Sequence, residues 1–200
     1  MRDGFVKVGA ATPDILVADC VHNREEIVKK VKEMAEAGTK VMAFPELCIT
    51  GYTCSDLFWQ ELLLVRAKEE LHKLEEELEE VEGLIIVGLP LEFNQKLYNT
   101  AAVISGGKVL GFVPKHHLPN YAEFYEARHF TAGCAFEGMV NWYGREVPFG
   151  QNLLFVCEEL PQLVTAVEVC EDLWAPNPPS ISHALSGATL IINPSASDEA

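Results

Sequence analysis

Apolar residues recur along this chain in two rhythms. Short, nearly unbroken apolar runs at 5–11, 41–44, 84–89, 97–104, 109–113, 152–157, 163–169 and 189–192 predict strands, several of them covered on both faces. Between them Ile27, Val28, Val31, Met34 and Ala35 return at three- and four-residue steps. That spacing predicts a helix over 23–37, with Asn23 and Glu26 placed as a capping box and Gly38 as the stop. Leu64, Ala67, Leu71, Leu74, Leu78 and Val81 repeat the pattern over 61–81. A coiled-coil seam would have to persist for ~3 to 4 heptads, so this segment is an amphipathic helix lying on a sheet, its many glutamates forming a solvated face. Ser105-Gly106-Gly107-Lys108 falls between two strands and predicts a hairpin. A short helix at 182–185 follows the rigid Pro176-Asn177-Pro178-Pro179 loop. Alternating helices and strands, without repeat or linker, predict one α/β domain.

Charge narrows the classes of partner. Fifteen Lys and Arg against thirty Asp and Glu leave the chain at -15, which repels nucleic-acid backbones and anionic membrane surfaces and favours small-molecule chemistry. A chain of 200 residues buries roughly 70% of its unfolded surface without disulfide support. The six cysteines, at 20, 48, 54, 134, 157 and 170, lie singly and match neither zinc nor redox spacing, which predicts reduced thiols and a cytoplasmic location. The start, Met1-Arg2-Asp3-Gly4, leads into a strand-like segment with no signal-peptide core, and no apolar run approaches the ~18 residues of a membrane span.

Candidate chemistry collects at strand ends, where ligands gather in open α/β sheets. The run 41–44 leads into Pro45-Glu46, 109–113 into Pro114-Lys115, and 163–169 into Cys170 and the acidic turn Glu171-Asp172. Singly, these are an ordinary cap, a surface charge and a small core residue. Jointly they supply the parts of acyl transfer: a thiol nucleophile, a carboxylate to take its proton, and an ammonium to stabilise thiolate or oxyanion. The backbone N–H of Glu171 is a second candidate oxyanion donor. His116-His117 is a poor metal site, because no carboxylate or cysteine stands at supporting spacing and neighbours on an extended segment point apart.

Phe44-Pro45-Glu46-Leu47 with Gly51-Tyr52, Pro114-Lys115-His116-His117-Leu118-Pro119, and Glu168-Val169-Cys170-Glu171-Asp172-Leu173-Trp174 resemble, in order, the three signatures of the nitrilase (carbon-nitrogen hydrolase) superfamily. Asp56-Leu57-Phe58, Pro119-Asn120-Tyr121, Phe124 and Phe130-Thr131-Ala132-Gly133 are more similar to the glutaminase domain of glutamine-dependent NAD synthetases than to a generic nitrilase. The resemblance implies an αββα sandwich of two mixed β-sheets flanked by helices. It also implies a Glu46-Lys115-Cys170 triad that opens a C–N bond through a thioester. Tyr52, Tyr121 and Glu171 would line the glutamine site, Glu126 would be a second acidic residue supporting the triad, and Ser197 would hold the substrate.

In that family an arginine beyond the serine grips the substrate carboxylate, and the chain ends at Ala200 before it. The resemblance therefore implies a glutaminase domain over 1–200, incomplete at its C-terminal end, whose ATP-dependent synthetase domain lies outside the chain. Ser105-Gly106-Gly107 lacks the Asp-Ser continuation of that domain's pyrophosphate loop. The implied partners are L-glutamine, the synthetase domain and further copies of the chain, with no nucleic acid and no membrane. No metal or cofactor is expected in this domain; ATP and Mg belong to the synthetase domain, where ammonia would amidate deamido-NAD. A stand-alone amidase acting on another small amide and an inert fragment are the alternatives.

Overall fold

The computed structural model describes residues 4–136 and 138–197; residues 1–3, 137 and 198–200 of the expected domain, Ala200 among them, lie outside the described residues. The first half runs β1 (Val8–Ala10), α1 (Cys20–Glu36), β2 (Val41–Ala43), a 3₁₀ segment (Tyr52–Trp59), α2 (Glu61–Glu77), β3 (Leu84–Phe93), β4 (Lys96–Ser105) and β5 (Lys108–Pro114). The second half runs α3 (Glu126–His129), β6 (Gly138–Trp142), β7 (Arg145–Phe149), β8 (Leu154–Val156), β9 (Val164–Val167), a 3₁₀ turn (Cys170–Trp174), α4 (Pro179–Leu185) and β10 (Leu190–Ile192). Two mixed sheets result, one ordered β1-β2-β3-β4-β5-β7-β6 and the other β10-β9-β8.

Strand alternation builds two cores from one sheet. Ile85, Val87, Ala102, Ile104 and Phe112 face α1 and α2, meeting Ile27, Val31, Leu71 and Leu74. Their neighbours Ile86, Ala101, Val103 and Val113 face the small sheet, meeting Val167, Val169, Phe155 and Ile192. Each such side chain, fully buried, contributes about 1.5–3 kcal/mol. α4 packs against β9. The layers are helix, sheet, sheet, helix, as the resemblance implies. No helix among the described residues is long and apolar enough to cross a membrane.

Several boundaries differ from those expected. α1 starts at Cys20, and its cap is Asp19, whose carboxylate accepts from the His22 N–H at 3.1 Å. Asn23 is wholly buried instead, donating to the carbonyls of Leu16 and Ile49 and accepting from the Leu16 N–H. β3 continues past Pro90 to a tight turn at Asn94-Gln95, both residues at positive φ. The proline costs no ladder bond there. Its partner Asn99 turns its carbonyl to Lys115 of the next segment, so Pro90 and Asn99 form a non-hydrogen-bonded pair. The β6–β7 hairpin was not expected, since Gly138–Trp142 and Pro148 weaken the strand signal.

The glutamates of α2 are not all solvated. Glu70 is buried between Arg24 and Lys73, at 2.7 and 2.6 Å. Glu75 accepts from the Val109 N–H, the Trp142 indole and Arg145, tying α2 to β5, β6 and β7. Each buried carboxylate has paid for its desolvation with charged or N–H partners.

Gly88 of β3 lies under the turn after β2. A Cβ there would sit 2.2 Å from the Leu47 N and 2.8 Å from the Pro45 O, so only glycine lets residues 45–47 cross the strand this closely. Gly88→Ala must move backbone, and overpacking of this kind costs about 1–3 kcal/mol, or roughly 2–12 °C of Tm in a chain of this size. Calorimetry checks this, and an unchanged Tm would show that the turn is not seated on Gly88.

Candidate active site

Strand direction brings the predicted groups together. β2, β3 and β5 run one way and β4 the other, so the ends of β2 and β5 and the start of β4 share one edge of the large sheet. Glu46, Lys115 and Asn99 occupy that edge. The end of β9 in the facing sheet supplies Cys170, three residues beyond Val167, where the expected strand ran to 169.

Lys115 is completely buried, and its Nζ lies 2.6 Å from Glu46 Oε1 and 2.6 Å from Glu126 Oε1. Burial alone would pull its pKa down, but the two carboxylates outweigh that and hold it above the usual lysine range. Burial and the Glu46 charge push Glu126 up, against the pull of Lys115 and of the Tyr52 hydroxyl. Tyr52 donates to Glu126 Oε1 at 2.7 Å. Burial and Glu126 raise its own pKa, so it stays a donor. Among the described residues Glu46 Oε2 accepts only the Ala196 N–H, at 3.2 Å, which leaves that oxygen the less committed of the two.

Cys170 turns the chain at φ +47, a left-handed conformation rare outside glycine. Its own bonds hold it there: its N–H donates to the Pro194 carbonyl, and its carbonyl accepts from Asn193 Nδ2. With its N–H so engaged, Cys170 cannot offer it to an oxyanion. The next N–H, of Glu171, has no partner among the described residues. Burial pushes the thiol above the ordinary cysteine range and Glu46 pushes it further, while Lys115 and the hydroxyls of Ser197 and Ser195 pull it back. Ser197 Oγ stands 3.8 Å from the sulfur.

The remaining predicted residues, Tyr121 and Glu171, lie nearer the surface. Tyr121 is exposed and donates to Glu171 Oε2 at 2.9 Å; the hydrogen bond raises the phenol's pKa. Phe124 stands edge-on to both Tyr121 and Tyr52, with centroids 5.8 and 6.3 Å away. The imidazoles of His116 and His117 do not point apart: they pack edge to face at 4.5 Å, and His116 Nδ1 lies 2.6 Å from the Gly133 carbonyl oxygen. Among the described residues no three His, Cys, Asp or Glu side chains are grouped to hold a metal ion.

Sequence reasoning gave no role to two residues that organise this site. Asn99 donates through Nδ2 to Glu46 Oε1 at 2.7 Å and Glu126 Oε2 at 3.2 Å, so it bridges the carboxylates beside Lys115. A polar amide within the apolar strand 97–104 was the available signal. Asp172 is buried in the turn after Cys170 and accepts three backbone N–H groups. Nothing in its acidic sequence context separates it from Glu171, which is partly exposed.

Residues 7–199 match the carbon-nitrogen hydrolase family. The glutamine-dependent NAD(+) synthetase of Mycobacterium tuberculosis is 39% identical over 196 residues, covering 98% of this chain and 29% of that protein. The protein of the same description from Aquifex aeolicus is 36% identical over 182 residues, covering 90% and 28%. The crystal structure of a glutamine-dependent NAD(+) synthetase from Cytophaga hutchinsonii superposes with a TM-score of 0.85 at 29% identity, over 98% of this chain and 31% of that one. An amidase from Nesterenkonia sp., at 21% identity and a TM-score of 0.73 over 100% of this chain and 68% of that one, shares the fold. The chain thus spans about three tenths of the length of the synthetases it matches.

The electrostatics around Cys170 can be checked directly. Alkylation by iodoacetamide, followed at the Cys170 peptide by mass, should rise with pH about a midpoint above the ordinary thiol value of about 8.5. Glu46→Gln removes a negative charge facing the sulfur, so the midpoint should move down. A midpoint that stays or rises in the variant contradicts the arrangement.

Proposed function

The chain belongs to the carbon-nitrogen hydrolase family, and from that premise we propose that it hydrolyses the side-chain amide of glutamine through a thioester on Cys170. The observation that carries this is the buried Lys115 held between Glu46 and Glu126 opposite a thiol whose charge environment is set by Glu46 and Lys115.

Glu46 takes the thiol proton as sulfur attacks the amide carbon, forming the C–S bond. Negative charge passes to the carbonyl oxygen, where Lys115 and the Glu171 N–H receive it. Of the three donors on the ammonium, two are spent on Glu46 and Glu126, which leaves one for the oxyanion. Each such contact is worth about 3–4 kcal/mol in the transition state. The proton on Glu46 then goes to the leaving nitrogen, the C–N bond breaks, and ammonia departs. Water, deprotonated by Glu46, attacks the thioester and releases glutamate, and the thiol recovers its proton.

Glu126 exchanges no proton in this scheme; with Tyr52 and Asn99 it holds Lys115 in place. Tyr52, Tyr121 and Glu171 line the glutamine site, and Ser197 approaches the substrate beside the sulfur. The ammonia feeds an ATP-dependent amidation of deamido-NAD by a synthetase domain of the same protein. ATP and Mg act in that domain and no cofactor acts in this one. The protein works in the cytoplasm as a homo-oligomer. The names and lengths of the matched synthetases support this larger role.

In the intact protein, Cys170→Ala should lower glutamine-driven NAD formation by about 10³-fold or more while ammonium salts still sustain it. Coupled assays with each nitrogen source measure both. Equal loss of the two activities would overturn the division of labour, and a protein that uses neither source but cleaves another amide would be a free-standing amidase.

A further inference from the structure

Asp172 has more to do than close its own turn. Its carboxylate is wholly buried, and no Lys or Arg pairs with it among the described residues. Oδ1 accepts the N–H groups of His117 at 2.7 Å and His116 at 3.1 Å, directly after Lys115. Oδ2 accepts the N–H of Val169 at 3.0 Å, directly before Cys170, and shares the His116 N–H at 3.4 Å. Burial raises the pKa of this carboxyl, and the three N–H groups, with a smaller pull from the His117 imidazole, oppose the rise. One side chain therefore fastens the lysine loop of the large sheet to the cysteine elbow of the small one.

We propose that Asp172 is a positioning residue that sets the distance between the sulfur of Cys170 and the two oxyanion donors. The proposal rests on the acyl-transfer reading above. Lys115 and the Glu171 N–H come from different sheets, and an oxyanion donor must lie within about 2.7–3.1 Å of where the charge develops. The hydrophobic contact between sheets does not fix that distance. One carboxylate that accepts from both sheets does, with Oδ1 on the lysine loop and Oδ2 closest to the elbow.

The carboxylate cannot be replaced by its amide. In Asp172→Asn one of the two acceptors becomes an NH₂ group. If the remaining oxygen faces His116 and His117, the NH₂ meets the Val169 N–H and the elbow is released. If the amide turns over, the lysine loop loses both Oδ1 bonds and keeps only the long 3.4 Å contact from His116. Either orientation loses the short bonds to one of the two sheets.

The test separates two reactions of the same sulfur. Glutamine hydrolysis needs the oxyanion donors, whereas alkylation by iodoacetamide displaces iodide from carbon and forms no oxyanion. In the intact protein Asp172→Asn should lower kcat for glutamine by about 10²-fold with KM changed by less than about 3-fold. The alkylation rate of Cys170 should stay within about 3-fold of the wild type, since no group that acts on the thiol's charge is replaced and alkylation needs no fixed oxyanion donor. Unchanged kcat, or parallel loss of hydrolysis and alkylation at an unchanged Tm, overturns the proposal.

A variant that does not fold passes the test to the wild type. There, hydrogen exchange at the amides of His117 and Val169 should show one shared opening rate, and independent rates overturn the proposal. A wild type that is alkylated at Cys170 yet hydrolyses no glutamine sinks the functional reading instead, and the exchange measurement still judges Asp172.

Discussion

A lysine with no exposed surface governs the arrangement around it. Removing one partner from a buried ion pair costs about 3–5 kcal/mol, so Lys115 compels both Glu46 and Glu126 to stay. Those carboxylates come from the turn after β2 and the start of α3, and Asn99 of β4 bridges them. Four separate stretches of chain are thereby held to one nitrogen. The large sheet supplies the common edge, and glycine at position 88 lets the Glu46 turn lie close enough to reach it.

The cluster is also short of positive charge. One ammonium serves two carboxylates, and the nearby thiol keeps its proton because burial and Glu46 both disfavour the thiolate. A resting site of this kind stores no reactive anion. Negative charge becomes tolerable only when it moves onto a group that the spare lysine donor can meet, which ties reactivity to the presence of a carbonyl at the right place.

Much of this was legible because the catalytic positions sit where an apolar run meets a polar break. Glu46, Lys115 and Cys170 each follow such a run, and sequence order alone put them at strand ends. What escaped notice depended on partners distant in the chain. Asn23 resembled a cap by spacing, yet Asp19 was free to cap and Asn23 had backbone from Leu16 and Ile49 to satisfy. Glu70 and Glu75 looked like surface residues of a charged helix until Arg24, Arg145 and Trp142 met them. Pro90 ended a predicted strand because the pairing that makes it harmless is set by Asn99 and Lys115. Among the described residues the Asp172 side chain bonds only to backbone, and backbone acceptance leaves no trace in residue types.

The backbone at Cys170 places local stability and chemistry in opposition. A left-handed conformation costs a residue with a Cβ about 1–2 kcal/mol, and glycine would occupy it at ease. Of all residues along the elbow, the one under strain is the one that bears the nucleophile. Drift toward a more relaxed elbow would therefore favour the substitution that erases the reaction, and the cysteine marks a position where selection for thermal robustness alone and selection for turnover would choose different amino acids.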